Sequence, residues 1–130
     1  MQLSRDAFQA WLDAYVTAWR SSDPQEIGLL FTEGVSYSYR AGTDVVTGRD
    51  AVVADWLKEP DDPSSWDARY EPLAIDGEVH VARGWSRYLD PDGSLRDEYS
   101  NIFVCRFDDA GQCSEFTEWW MRFEPGQKPS

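Results

Sequence analysis

Ala7, Phe8, Trp11, Leu12, Tyr15, Val16 and Trp19 recur at three- and four-residue steps, with Gln9, Asp13, Thr17 and three alanines between them. That period predicts an amphipathic helix with one broad apolar stripe. Ser4 offers an N-cap oxygen, and Asp6 places a carboxylate in the first turn, where the helix dipole favours an anion. Ser21-Ser22-Asp23-Pro24 ends the run, because Pro24 crowds helical geometry at Asp23 and suits the first turn of a new helix. A short second helix is predicted over 24–31, with Ile27, Leu30 and Phe31 apolar and Glu33-Gly34 ending it. Apolar–polar alternation over 35–39 predicts a half-buried strand, and a glycine-containing loop follows. Thr47-Gly48-Arg49-Asp50 then opens a third helix to about residue 58, with Val52, Val53, Trp56 and Leu57 turned inward.

From Trp66 the helical period vanishes. Strands are predicted at about 66–75, 78–89, 95–107 and 112–123. Asp76-Gly77 is a two-residue hairpin signal, and Asp90-Pro91-Asp92-Gly93 and Asp108-Asp109-Ala110-Gly111 are turns. Helices first and a long antiparallel meander last is an α+β pattern. The 59–65 loop is too short for a domain linker, so the 130 residues are expected to form one domain. The polar segment 124–130 is expected to be a frayed tail.

Charge narrows the function. Twenty-four Asp and Glu against 12 Lys and Arg leave a net charge of -12. Such a surface repels phosphate backbones and anionic lipid heads, so neither nucleic acid nor membrane is an expected partner. Seven Trp, six Tyr and six Phe are too much aromatic surface for a disordered acidic chain. No apolar run approaches the ~18 residues of a transmembrane helix. The start, MQLSRDAFQAW, lacks a basic segment followed by an apolar core, so no secretory leader is expected. Cys105 and Cys113 flank a tight turn where strand geometry disfavours a bridge, and both are expected as reduced, partly buried thiols of a cytoplasmic protein. One histidine, His80, excludes a multi-histidine metal site and is expected to pack or face solvent rather than act as a base. The aspartates at 61–62 and 108–109 lack calcium-loop spacing. No metal and no cofactor are expected.

Three segments carry a resemblance: Tyr15-Val16-Thr17-Ala18-Trp19 with Asp23-Pro24-Gln25-Glu26-Ile27 and Leu30-Phe31; Thr47-Gly48-Arg49-Asp50-Ala51-Val52; and residues 102–111 with Glu118-Trp119-Trp120. In this order and spacing the chain resembles the SnoaL-like branch of the nuclear transport factor 2-like superfamily over about residues 4–123. The resemblance implies a cone in which three N-terminal helices pack on a strongly curved, mixed or antiparallel sheet enclosing a pocket. It also implies frequent dimerisation through the outer face of the sheet. In the last strand Phe116, Glu118 and Trp120 share one face, and Trp119, Met121 and Phe123 share the other. One set can line a cavity while the other fills a homodimer contact.

Family chemistry can be tested position by position. Tyr15 falls where ketosteroid isomerases carry their first-helix oxyanion tyrosine, and Trp120 falls on a position lining their site. Their strand base and sheet acid fall on Tyr39 and Phe103, which can do neither job, so steroid isomerisation is not expected. Limonene-epoxide hydrolases use an Arg-x-Asp pair and an Asp on the last strand. Glu118 falls near that last carboxylate, but Arg83 and Arg87 are followed two residues on by Trp85 and Leu89. SnoaL-type polyketide cyclases use one pocket Asp as acid and base, for which Glu118 is the nearest candidate.

Glu118 is thus the candidate catalytic residue, with Tyr15 beside it. Flanked by Phe116 and Trp120, its carboxyl is expected to have a raised pKa. The competing role is an ion pair with an arginine that braces the sheet. Arg83, Trp85 and Arg87 share a face, and a one-residue slip in register decides whether it is the pocket. By the resemblance Phe103 faces inward and brings Tyr99 and Asn101 with it. The expected ligand is an apolar or aromatic small molecule held by Trp19, Tyr37, Tyr39, Trp56, Tyr99, Asn101, Phe103, Phe116 and Trp120. Cofactor-free acid/base catalysis of the cyclase, isomerase, dehydratase or hydrolase class is one expectation. The alternative is a non-catalytic dimeric interaction or scaffold module.

Overall fold

The computed structural model describes residues 1–124, so all but the first residue of the expected tail lies outside the described residues. Helix α1 spans Arg5–Ser21, opened by the Ser4 hydroxyl accepting from the Ala7 N–H. It closes at Ser22, whose left-handed backbone returns its N–H to the Ala18 carbonyl. Helix α2 spans Pro24–Leu29, with the Asp23 carboxylate accepting from the N–H groups of Gln25 and Glu26.

Two expectations need correction here. Helix α2 stops at Leu29, because Phe31 already belongs to strand β1, Phe31–Arg40. The Leu30 carbonyl is taken by the Cys113 N–H and the Trp11 indole N–H, partners far away in sequence that no local pattern reports. Glu33-Gly34 falls where the register of β1 shifts, between Phe31 and Ser36, rather than at a helix end. The second correction is the loop after Tyr39, which contains strand β2, Thr43–Thr47, folded back on β1. That strand is short, mostly exposed and paired on one side only, so its sequence lacks the alternation a half-buried strand requires.

Helix α3 spans Arg49–Lys58 and buries Val52. The meander follows as β3 (Trp66–Asp76), β4 (Val79–Leu89), β5 (Leu95–Phe107) and β6 (Cys113–Arg122), within a residue of the predicted strands. The six strands form one curved open sheet in the order β2-β1-β6-β5-β4-β3. Every pairing is antiparallel except β1 with β6, which is parallel. No helix among the described residues is long and apolar enough to cross a membrane.

Helix α1 packs its stripe of Phe8, Trp11, Leu12, Tyr15 and Ala18 against the inward side of this sheet. Rings dominate the contact: Trp11 meets Phe107 edge-on at 5.2 Å, and Phe116 stacks on Tyr37 at 4.4 Å. Gly84 lets β3 and β4 approach closely. A Cβ there would lie 2.0 Å from the Arg69 carbonyl oxygen and 2.4 Å from the Tyr70 ring, so only glycine fits.

Register settles the β4 question. His80, Ala82 and Ser86 are buried on the inward side, which turns Arg83, Trp85 and Arg87 outward. Arg83 pairs with Glu71 at 3.1 Å, while Arg87 pairs with Glu98 and covers the Trp85 ring. His80 is a packing residue. Its Nε2 accepts the Leu3 N–H at 2.9 Å, which leaves the ring proton on Nδ1 to donate to the Glu78 carbonyl. Cys105 and Cys113 are both free and buried.

Candidate functional site

Between the helices and the inward side of the sheet lies a cavity of about 310 Å³. Helix α1 contributes Tyr15, Ala18 and Trp19, while β1 contributes Tyr37 and Tyr39. Asp55 and Trp56 come from α3, and Glu59, Pro60 and Asp61 from the loop after it. Tyr70 enters from β3, Ser86 and Tyr88 from β4, Asn101 from β5 and Glu118 from β6.

Three of these residues form a diagonal chain of hydrogen bonds across β4, β5 and β6. The Ser86 hydroxyl donates to Asn101 Oδ1 at 3.1 Å, and Asn101 Nδ2 donates to Glu118 Oε2 at 2.7 Å. Strand pairing explains the geometry. Asn101 lies opposite Gly84 and Trp120, so its same-face diagonal neighbours are Ser86 and Glu118. The buried amide is thereby satisfied at both ends. Glu118 makes no ion pair with a described residue, so the bracing role beside an arginine is not what this geometry holds.

Burial pushes the Glu118 carboxyl up to about 7, against the opposing pull of the Asn101 hydrogen bond. Both protonation states are then populated near neutrality, which lets the group give or take a proton. Around it stand tyrosines held above their ordinary range, chiefly by burial. The Glu118 charge adds to the effect at Tyr15, Tyr37, Tyr39, Tyr70 and Tyr88. These phenols stay neutral and remain hydrogen-bond donors. Tyr15 and Tyr37 share a hydrogen bond of 2.8 Å between their hydroxyls, so the accepting phenol keeps its own proton for another partner.

The expected site residues separate into three groups. Glu118, Tyr15, Trp19, Tyr37, Tyr39, Trp56 and Asn101 line the cavity together. Phe103 and Phe116 lie behind the lining: Phe103 sits 4.4 Å from the Tyr70 ring, and Phe116 backs Tyr37 and Tyr15. Tyr99 and Trp120 are outside the cavity and meet each other edge-on at 5.6 Å, with the Arg40 guanidinium over Trp120. Sequence reasoning missed Tyr70, Ser86, Tyr88 and the mouth carboxylates. The alternation Trp66, Ala68, Tyr70 was a usable signal for the first. Ser86 and Tyr88 became readable only once the β4 register was known. Among the described residues, no three of His, Cys, Asp and Glu converge closely enough to hold a metal ion.

A curved open sheet with three helices around one inward cavity defines the nuclear transport factor 2-like class of fold. The SnoaL-like domain family matches residues 12–116, and the chain belongs to that family. No curated protein matches the sequence. Among solved structures, the chain is similar to a proposed ketosteroid isomerase from Kribbella flavida, with 19% identity and a TM-score of 0.68 over 97% of this chain and 84% of that one. It is also similar to the epoxide hydrolase/cyclase-like enzyme SalBIII of pyran ring formation in salinomycin, with 19% identity and a TM-score of 0.67 over 93% and 95% of the chains. An NTF2-like protein of unknown function from Burkholderia xenovorans gives 14% identity and a TM-score of 0.68 over 95% and 88%. At these identities the likeness is one of fold.

Proposed function

We propose that the cavity binds a small molecule with an apolar or aromatic body and that Glu118 transfers protons on it without a cofactor. One observation carries this reading: a carboxyl with no ion-pair partner among the described residues lines an aromatic cavity, one oxygen held by Asn101, poised near neutrality. The hydrogen-bonded Tyr15–Tyr37 pair supplies one neutral donor for an oxygen that gains negative charge as the proton moves. Enolisation, ring closure, dehydration and epoxide opening all draw on this pair of functions. SalBIII and the Kribbella protein are described with reactions of that kind.

The test is deuterium exchange. Aryl alkyl ketones in D2O at pH 7 are expected to exchange their α-protons faster with the protein than without it. Glu118→Gln should remove at least about a hundredfold of that acceleration. Parent rates no faster than those without protein would leave a binder without turnover, and equal acceleration by parent and variant would remove Glu118 from the proton transfer.

A homodimer is the assembly this reading favours. On the outward side of β6, Trp119 and Met121 are 49% and 58% exposed, and Trp119 lies opposite Ile102 of β5. Large side chains in a row on an open sheet face are the usual mark of a subunit contact. Light scattering should give a dimer mass for the parent and a monomer for Trp119→Glu, and a monomeric parent would remove the proposal.

A further inference from the structure

The ionisable side chains that line the cavity have a one-sided charge. Besides the tyrosines they are Asp55, Glu59, Asp61 and Glu118, and no Lys, Arg or His is among them. Three arginines near its walls hold other partners, Arg40 lying over the Trp120 ring. Arg20 lies over the Trp66 ring and donates to the Pro63 carbonyl, and Arg96 lies over Tyr88 and pairs with Asp97. Arg83 and Arg87, which would have suited an acidic ligand, are on the outer face.

The acids are not clustered as metal ligands would be. Glu118 is half-buried on β6, whereas Asp55, Glu59 and Asp61 come from α3 and the loop after it, Asp55 and Glu59 exposed and Asp61 half-buried. Asp61 accepts the Trp19 indole N–H at 3.0 Å, and Asp55 lies beside Tyr39. Asp55 and Asp61 therefore each neighbour an aromatic ring that lines the same cavity. Ring faces and carboxylates both attract a positive charge, and together they repel an anion.

We infer that the ligand is a cation: an amine, protonated at neutral pH, whose ammonium group sits between Trp19, Tyr39 and the carboxylates Asp55 and Asp61, with its apolar body directed toward Tyr15 and Glu118. This assignment rests on the small-molecule reading above and narrows it. An ammonium at the mouth exchanges water for carboxylate and ring contacts. The body behind it fills an aromatic space that an anionic ligand could enter only against four acids. The net charge of -12 adds a long-range attraction for cations.

Three probes of one shape and different charge test it by calorimetry at pH 7: 3-phenylpropylammonium, 3-phenylpropan-1-ol and 3-phenylpropanoate. The ammonium is expected to bind at least about tenfold more tightly than the alcohol, and the carboxylate most weakly. In the double variant Asp55→Asn, Asp61→Asn the ammonium should lose that advantage while the alcohol keeps its affinity. Asparagine preserves the size and the acceptor oxygen at both positions, so the folded cavity is retained. An alcohol that binds as tightly as the ammonium overturns the cationic assignment and leaves the small-molecule reading standing. Failure of all three probes to bind overturns both. An ammonium advantage that survives the double variant also overturns the assignment, because the attraction would then come from elsewhere.

Discussion

Glu118→Gln is expected to stabilise the protein by about 3 kcal/mol at pH 8 and to leave its stability at pH 4 nearly unchanged. The folded-state carboxyl is raised from an ordinary value of 4.5 to about 7, mainly because burial disfavours its charge. Between those two values the folded protein holds a proton that the unfolded chain has released. For an acid whose folded pKa is raised, stability is therefore full below about pH 4.5 and declines until about pH 7, after which the loss is complete. Glutamine has no charge to bury, and its amide oxygen still accepts from Asn101. The difference between parent and variant should grow from near zero to its full size across that window. Urea unfolding at four pH values from 4 to 8 checks it. A pH-independent difference would mean that Glu118 is solvated, and the acid/base proposal would lose its basis. The same variant is predicted to lose proton transfer, so the side chain that carries the proposed activity is one the folded state would be more stable without.

The larger loss is expected at Phe116. Phe116→Ala should cost about 4 kcal/mol, within the usual range for truncating a fully buried phenylalanine. Phe116 is completely buried and stacked on Tyr37 at 4.4 Å, with Phe103 at 4.7 Å and Tyr15 at 5.6 Å. Removing the ring leaves a void under the two phenols whose hydroxyls share a hydrogen bond. Phe116→Leu keeps most of the volume and should cost about 1.5 kcal/mol or less. Chemical denaturation measures both. Near-equal values for the two variants would show that the space behind Tyr37 collapses readily and that Phe116 does not hold the tyrosine pair in place.

Much of this molecule was legible along the chain. The stripe of α1, its Ser4 cap, the Pro24 restart and the four strands of the meander follow from local periods and turn chemistry. These signals lie within a few residues of one another. Glu118 could also be singled out, as a carboxylate between aromatic residues on one strand face. What local patterns missed were features defined by distant partners. Helix α2 ends early because Cys113 and Trp11 claim the Leu30 carbonyl, and β2 exists only as a partner for β1.

The site divides in the same way. Sequence alone determined which residue types were available: abundant tyrosines and tryptophans, a carboxylate between aromatic residues on one face of the last strand, and an excess of acids. Only the tertiary structure decided which of them meet. A strand's period of two leaves its inward face undefined until its neighbours set the register, so Arg83 and Arg87 could be read either way until β4 was paired. Phe103 and Phe116 share the inward face yet lie behind the tyrosines, and Tyr99 and Trp120 share it but fall outside the cavity. Depth along a curved sheet depends on where α1 and α3 cross it. That crossing is set by long-range packing between segments whose local patterns are independent of one another.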